Sequence, residues 1–142
     1  MGGLEDQYLQ CQQLVEQKDF ENAKKLAKKL IKNVKTCGMN NLISCIYHNL
    51  GKTSKAMKFL SNAVDLAKKS NKSALKELYL NFLSIYSYCE ITKDIKKTLR
   101  DAAIYLINTG EKFGMEVSIK CYMILLYDGD VEYARNCFNH YE

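Results

Sequence analysis

The chain of 142 residues repeats itself, and this constrains its fold more than any other feature. Moved by 39 positions, Ile46-Tyr47 falls on Ile85-Tyr86, Leu60 on Leu99 and Ala63 on Ala102. Moved by 39 again, Gly51 falls on Gly129, Ala56 on Ala134 and Leu60 on Phe138. A backward step of 33 places Ala56 on Ala23, Tyr47 on Leu14 and Ala63 on Leu30. Four units result, approximately 4–36, 37–72, 73–114 and 115–142, in one domain spanning 1–142. A unit this short cannot bury an apolar face alone, so neighbours must stack to complete a core.

Each unit reads as two helices. Leu42, Ile43, Ile46, Tyr47 and Leu50 keep helical apolar spacing, and so do Ala56, Phe59, Leu60, Ala63, Val64 and Ala67. Between them, Gly51 is expected to end one helix with a left-handed cap and Thr53 to cap the next. Asp128-Gly129-Asp130 repeats this punctuation, while Asp19 and Thr92 serve as caps before Phe20 and Lys93. The recurring alanines let paired helices approach closely. Proline is absent, which leaves helix interiors unbroken.

This pattern resembles the tetratricopeptide repeat, which places a small or apolar residue and Tyr in its first helix, and Ala, an aromatic or aliphatic residue, and Ala in its second. The second unit carries the resemblance best, through Ile43, Ser44, Tyr47, Ala56, Leu60 and Ala63. The third keeps Tyr86, Leu99 and Ala102 with Ile95 for the first alanine; the fourth keeps Leu125, Ala134 and Phe138 with Tyr141 for the second. The first keeps Leu14, Ala23, Ala27 and Leu30. The family's tryptophan and final proline are missing, and a step of 39 is longer than its usual ~34. The resemblance therefore points to a longer-repeat variant. It implies an all-α fold, a right-handed superhelix (α-solenoid) of about four helix-turn-helix repeats, working as a non-enzymatic protein-interaction scaffold.

The resemblance also implies a binding wall made by the first helix of each unit. Carried over by position, that concave wall takes Tyr8, Gln12 and Val15 from the first unit and Asn41, Cys45, His48 and Asn49 from the second. The third gives Glu77, Leu80, Ser84 and Tyr88, and the fourth Glu116, Ile119, Met123 and Tyr127. The family's carboxylate clamp of Lys, Asn and Arg is not matched: Tyr8, Gln12, Leu42, Glu77 and Asn81 stand there. The wall is mixed apolar and mildly acidic, which suits a peptide or helix with apolar anchors and basic residues. The rival structural reading buries Leu80, Ile119 and Met123 between helices.

Charge is uneven. Residues 1–72 hold 13 Lys and 6 acids, and residues 73–142 hold 8 Lys/Arg and 10 acids. The lysines of 24–35 alternate with Leu26, Ala27, Leu30, Ile31 and Val34, so a solvated helix face explains them. Nucleic-acid binding would need aromatics or a groove joined to that charge. A helical-repeat RNA-binding module built on the basic N-terminal half is the alternative function.

The remaining motifs exclude more than they assign. Cys11, Cys37, Cys45, Cys89, Cys121 and Cys137 contain no CxxC pair, and a secretory leader is missing, so free thiols in a reducing cytoplasmic or nuclear compartment are expected. Cys45 and His48 form only half a zinc site, and no metal or other cofactor is expected. Asp6 replaces the Ser or Thr of a myristoylation signal, and no apolar run approaches the ~20 residues of a membrane span. Gly51-Lys52-Thr53 lacks the earlier glycine of a phosphate loop, since Ile46 stands there. His48 has no acid at helical spacing to orient it as a base, which leaves a His48–Cys45 enzyme as a distant third reading. Finally, the last helix carries Val131, Tyr133, Ala134, Phe138 and Tyr141 with no polar cap after it. This end is expected to continue into a longer array or to self-associate through Tyr133, Phe138 and Tyr141.

Overall fold

The computed structural model describes residues 3–109, 111–127 and 129. All regular structure among them is helical, with seven α-helices and two 3-10 turns. The chain divides into two compact units, Met1–Leu75 and Lys76–Glu142.

The first unit consists of two helical hairpins in series. α1 (Leu4–Glu16) packs along α2 (Phe20–Leu30), and α3 (Cys37–Asn49) along α4 (Thr53–Ser70). α2 also packs onto α3, and α1 meets α3, so the second hairpin follows the first as a repeat array requires. The 3-10 turn Lys72–Ala74 closes the unit against α4.

The alanines lie where the helices touch. Ala23, Ala27, Ala56, Ala63 and Ala67 are fully buried. A methyl at these positions costs no side-chain entropy and lets a neighbouring backbone come close. Cys11 of α1 donates its thiol to the Ala23 carbonyl at 3.5 Å, and Ser44 of α3 donates its hydroxyl to the Ala56 carbonyl at 2.8 Å. The two contacts are related by the repeat step of 33 residues. Leu60, Val64, Ile43 and Ile46 fill the second hairpin's core. The Tyr47 ring stacks on Phe59 at 5.7 Å, with Lys55 over its face.

Both turns use one device. Gly51 has φ +78°, its N–H donates to the His48 carbonyl, and the Lys52 N–H donates to the Tyr47 carbonyl. These two bonds satisfy carbonyls that the helix end leaves open. The turn after α1 has the same pair, Lys18 to Val15 and Asp19 to Leu14, but its left-handed residue is Lys18 at φ +61°. Asp19 caps α2 by accepting from the Asn22 N–H, and Thr36 caps α3 by accepting from Met39. The expected cap at Thr53 is not there. α4 already begins at Thr53, its N-cap is Lys52, and no side chain caps it. Lys52 is the last residue of the glycine turn and the first carbonyl acceptor of α4, from Ala56, so Thr53 falls inside the helix.

The second unit contains α5 (Leu75–Ile85), the 3-10 turn Tyr86–Tyr88, α6 (Lys93–Asn108) and α7 (Met115–Tyr127). Thr92 caps α6 by accepting from the Ile95 N–H. Leu99, Ala102, Ala103 and Leu106 form the buried stripe of α6. They stand 39 residues after Leu60, Ala63, Val64 and Ala67 of α4. Tyr79 of α5 meets Tyr105 of α6 at 5.2 Å, and α7 packs along α6. Lys120 of α7 donates to the Leu83 carbonyl near the end of α5, which ties α7 to α5. Gly129 has φ +79°, as the repeat predicts from Gly51. The expected last helix, with Val131, Tyr133, Ala134, Phe138 and Tyr141, lies outside the described residues.

Candidate interaction surface

The fifteen wall positions sit on α1, α3, α5 and α7, with Tyr88 in the 3-10 turn that follows α5, and none is buried. Within each helix they follow three- and four-residue spacing and share a side.

In the first unit, Tyr8 and Gln12 on α1 are half-buried, as is Val15. The Tyr8 hydroxyl lies over the start of α3, where a Cβ on Gly38 would sit 3.3 Å from it. Burial, then the Cys11 and Cys37 thiols, raise the Tyr8 pKa, so the phenol stays protonated at neutral pH. On α3, Asn41 and His48 are half-buried, while Cys45 and Asn49 are exposed. The Asn49 amide donates to both the carbonyl and the sulfur of Cys45. Desolvation still raises the Cys45 pKa; the Asn49 bond only partly offsets it. A thiol held protonated is a poor nucleophile.

The second unit differs in character. Glu77, Ser84 and Tyr88 are exposed, and Leu80 is half-buried. α7 is apolar on both sides. One side buries Ser118, Cys121 and Leu125, and the other presents Met115, Ile119, Met123 and Tyr127 to solvent. Ile119 and Met123 are each 44% exposed, so they are not enclosed between helices as the rival structural reading would have them. Largely apolar helices belong in a core, and among the described residues α7 is covered on one side only. Glu116 stands on the open side and pairs with Lys120 at 3.1 Å. An open cleft of about 520 Å³ adjoins this stripe, lined by Tyr86, Ile91, Lys96, Leu99, Met123 and Tyr127.

Met115, Ile91 and Leu126 are exposed too and were not among the wall positions expected from the sequence. Four-residue spacing back from Ile119 would have found Met115. Ile91 precedes α6 in a loop, where no periodicity operates.

The described Cys residues are free thiols, and among the described residues no three His, Cys, Asp or Glu side chains gather as a metal site requires. No described helix is long and apolar enough to cross a membrane. No protein-family model, curated protein or solved structure matches the chain.

Proposed function

We propose that the chain is a repeat scaffold of the tetratricopeptide kind, a solenoid of about four hairpins that binds a partner protein without catalysing a reaction. Its ligand is an amphipathic segment with apolar anchors and basic residues, held by the first-helix face. The observation that carries this reading is the open apolar stripe of α7, Met115, Ile119, Met123 and Tyr127, with Glu116 beside it. The serial packing of the two hairpins in the first unit supports the array, and the excess of acids over bases in residues 73–142 supports the basic ligand.

The magnitudes suit a reversible interaction. Covering the open part of Ile119 or Met123 contributes roughly 2 kcal/mol at ~25 cal/mol per Å². Three such anchors give about 6 kcal/mol before ordering costs, which places a short peptide at roughly tens of micromolar at the tightest and weaker once those costs are met. A peptide array scanned with the purified protein tests the reading. Binding should concentrate on segments that pair Leu, Ile or Phe with Lys or Arg, and a preference for acidic peptides would overturn it.

A further inference from the structure

We infer that the first unit carries a second surface, a groove for single-stranded nucleic acid formed by the 31–36 loop, α3 and α4. Between Glu21 and Glu77 the sequence holds thirteen lysines and one acid, Asp65. The lysines of α2 alone are explained as a solvated face. The structure adds what such a face lacks.

A groove of about 470 Å³ opens there, lined by Ile31 and Lys35 from the loop, Asn40 from α3, and Phe59, Asn62, Asp65 and Leu66 from α4. Lys58, Asn62, Asp65 and Lys69 follow one face of α4 at three- and four-residue spacing, so a lysine stands at each end of that wall. The opposite wall has Lys35, with Lys28 one turn before Ile31, which also lines the groove. All four lysines are exposed. Phe59 is half-buried and fixed by its stack on Tyr47.

The groove therefore supplies an aromatic ring for a base and side chains for the base edge, with Lys35 in its lining and Lys28, Lys58 and Lys69 at helical spacing from lining residues to meet successive phosphates. The Asn62 amide offers a donor and an acceptor. The Asp65 carboxylate accepts from an exocyclic amine such as cytosine N4. A duplex turns its bases inward and would use the lysines alone. A membrane surface would be met by protruding apolar side chains, and the large exposed hydrophobics described in this unit, Leu4 and Leu9, are both on α1.

Fluorescence anisotropy with a labelled twelve-nucleotide single-stranded RNA rich in cytosine tests this on the full chain. Four neutralised phosphates give a slope near −2.8 against log salt, a loss of about 50-fold between 50 and 200 mM. Replacing Lys28, Lys35, Lys58 and Lys69 by Glu together should abolish binding. Phe59→Leu, which keeps an apolar contact for Tyr47 but no π-face, should weaken it about tenfold. Asn62→Ala at an exposed position should weaken it severalfold, and keeps the test valid if Phe59→Leu lowers the melting temperature. The same RNA as a duplex should bind at least tenfold more weakly. No binding, salt-insensitive binding, or equal affinity for duplex, polyglutamate or anionic vesicles would overturn the assignment.

Discussion

Ser44 on α3 donates its hydroxyl to the carbonyl of Ala56 on α4 at 2.8 Å, inside a fully closed contact. Thirty-three residues earlier, Cys11 and Ala23 make the same contact through a thiol at 3.5 Å. Only a small donor fits opposite an alanine where two helices come this close. Ser44→Ala should cost about 1 kcal/mol, the net worth of one buried hydrogen bond. Ser44→Cys should cost less than Ser44→Leu, which overpacks the site by roughly 1–3 kcal/mol. Urea unfolding of the three variants checks the order.

The two hairpin turns of the first unit place different residues at the left-handed position. Gly51 is left-handed at no steric cost, whereas Lys18 holds a similar conformation with a side chain attached. Gly51→Ala should destabilise by about 1 kcal/mol, and Lys18→Gly should stabilise by about 0.5 kcal/mol once the extra freedom of the unfolded chain is subtracted. Thermal melts moving in opposite directions are the expected outcome.

Much of this fold was legible because it depends on local chemistry. Gly51 and Gly129 mark turns, Asp19 and Thr92 cap helices, and the Leu60-Ala63 and Leu99-Ala102 stripes lie in the core. Thr53 misled because a glycine turn and a helix start overlap on Lys52. Lys18 gave no sign, since nothing in its side chain announces a positive φ. The open side of α7 was reached only through the repeat register, which put Ile119, Met123 and Tyr127 on the wall; periodicity alone shows both sides of an apolar helix alike until its neighbours are in place. The groove at Phe59 joins residues from a loop and two helices, and no single-segment periodicity connects them.

Alkaline pH should loosen the structure. Burial raises the pKa of the Cys11 thiol above its ordinary 9.0, and that of Tyr8 above 10.0. In each case the folded state holds its proton more tightly than the unfolded chain. Their contribution is complete below pH 9 and is lost as pH rises through the folded values. The melting temperature should fall above pH 9, and Cys11→Ser, which cannot ionise there, should flatten the first part of that fall.

Ile119→Glu and Met123→Glu alter side chains that face solvent. Each should change stability by less than about 0.5 kcal/mol while reducing partner capture from native extract severalfold. Joint replacement of Cys45 and His48 by alanine should weaken capture no more than severalfold, as trimming two wall side chains would, and its complete loss would favour a chemical role for that pair.

The most direct test of the central claim is amide chemical-shift mapping of the isotopically labelled chain during titration with a basic, apolar-anchored peptide. Shifts confined to the first-helix positions, above all Ile119, Met123 and Tyr127 of α7, are the expected result. Shifts confined to α2 and α4, or no saturable change at millimolar peptide, would contradict it.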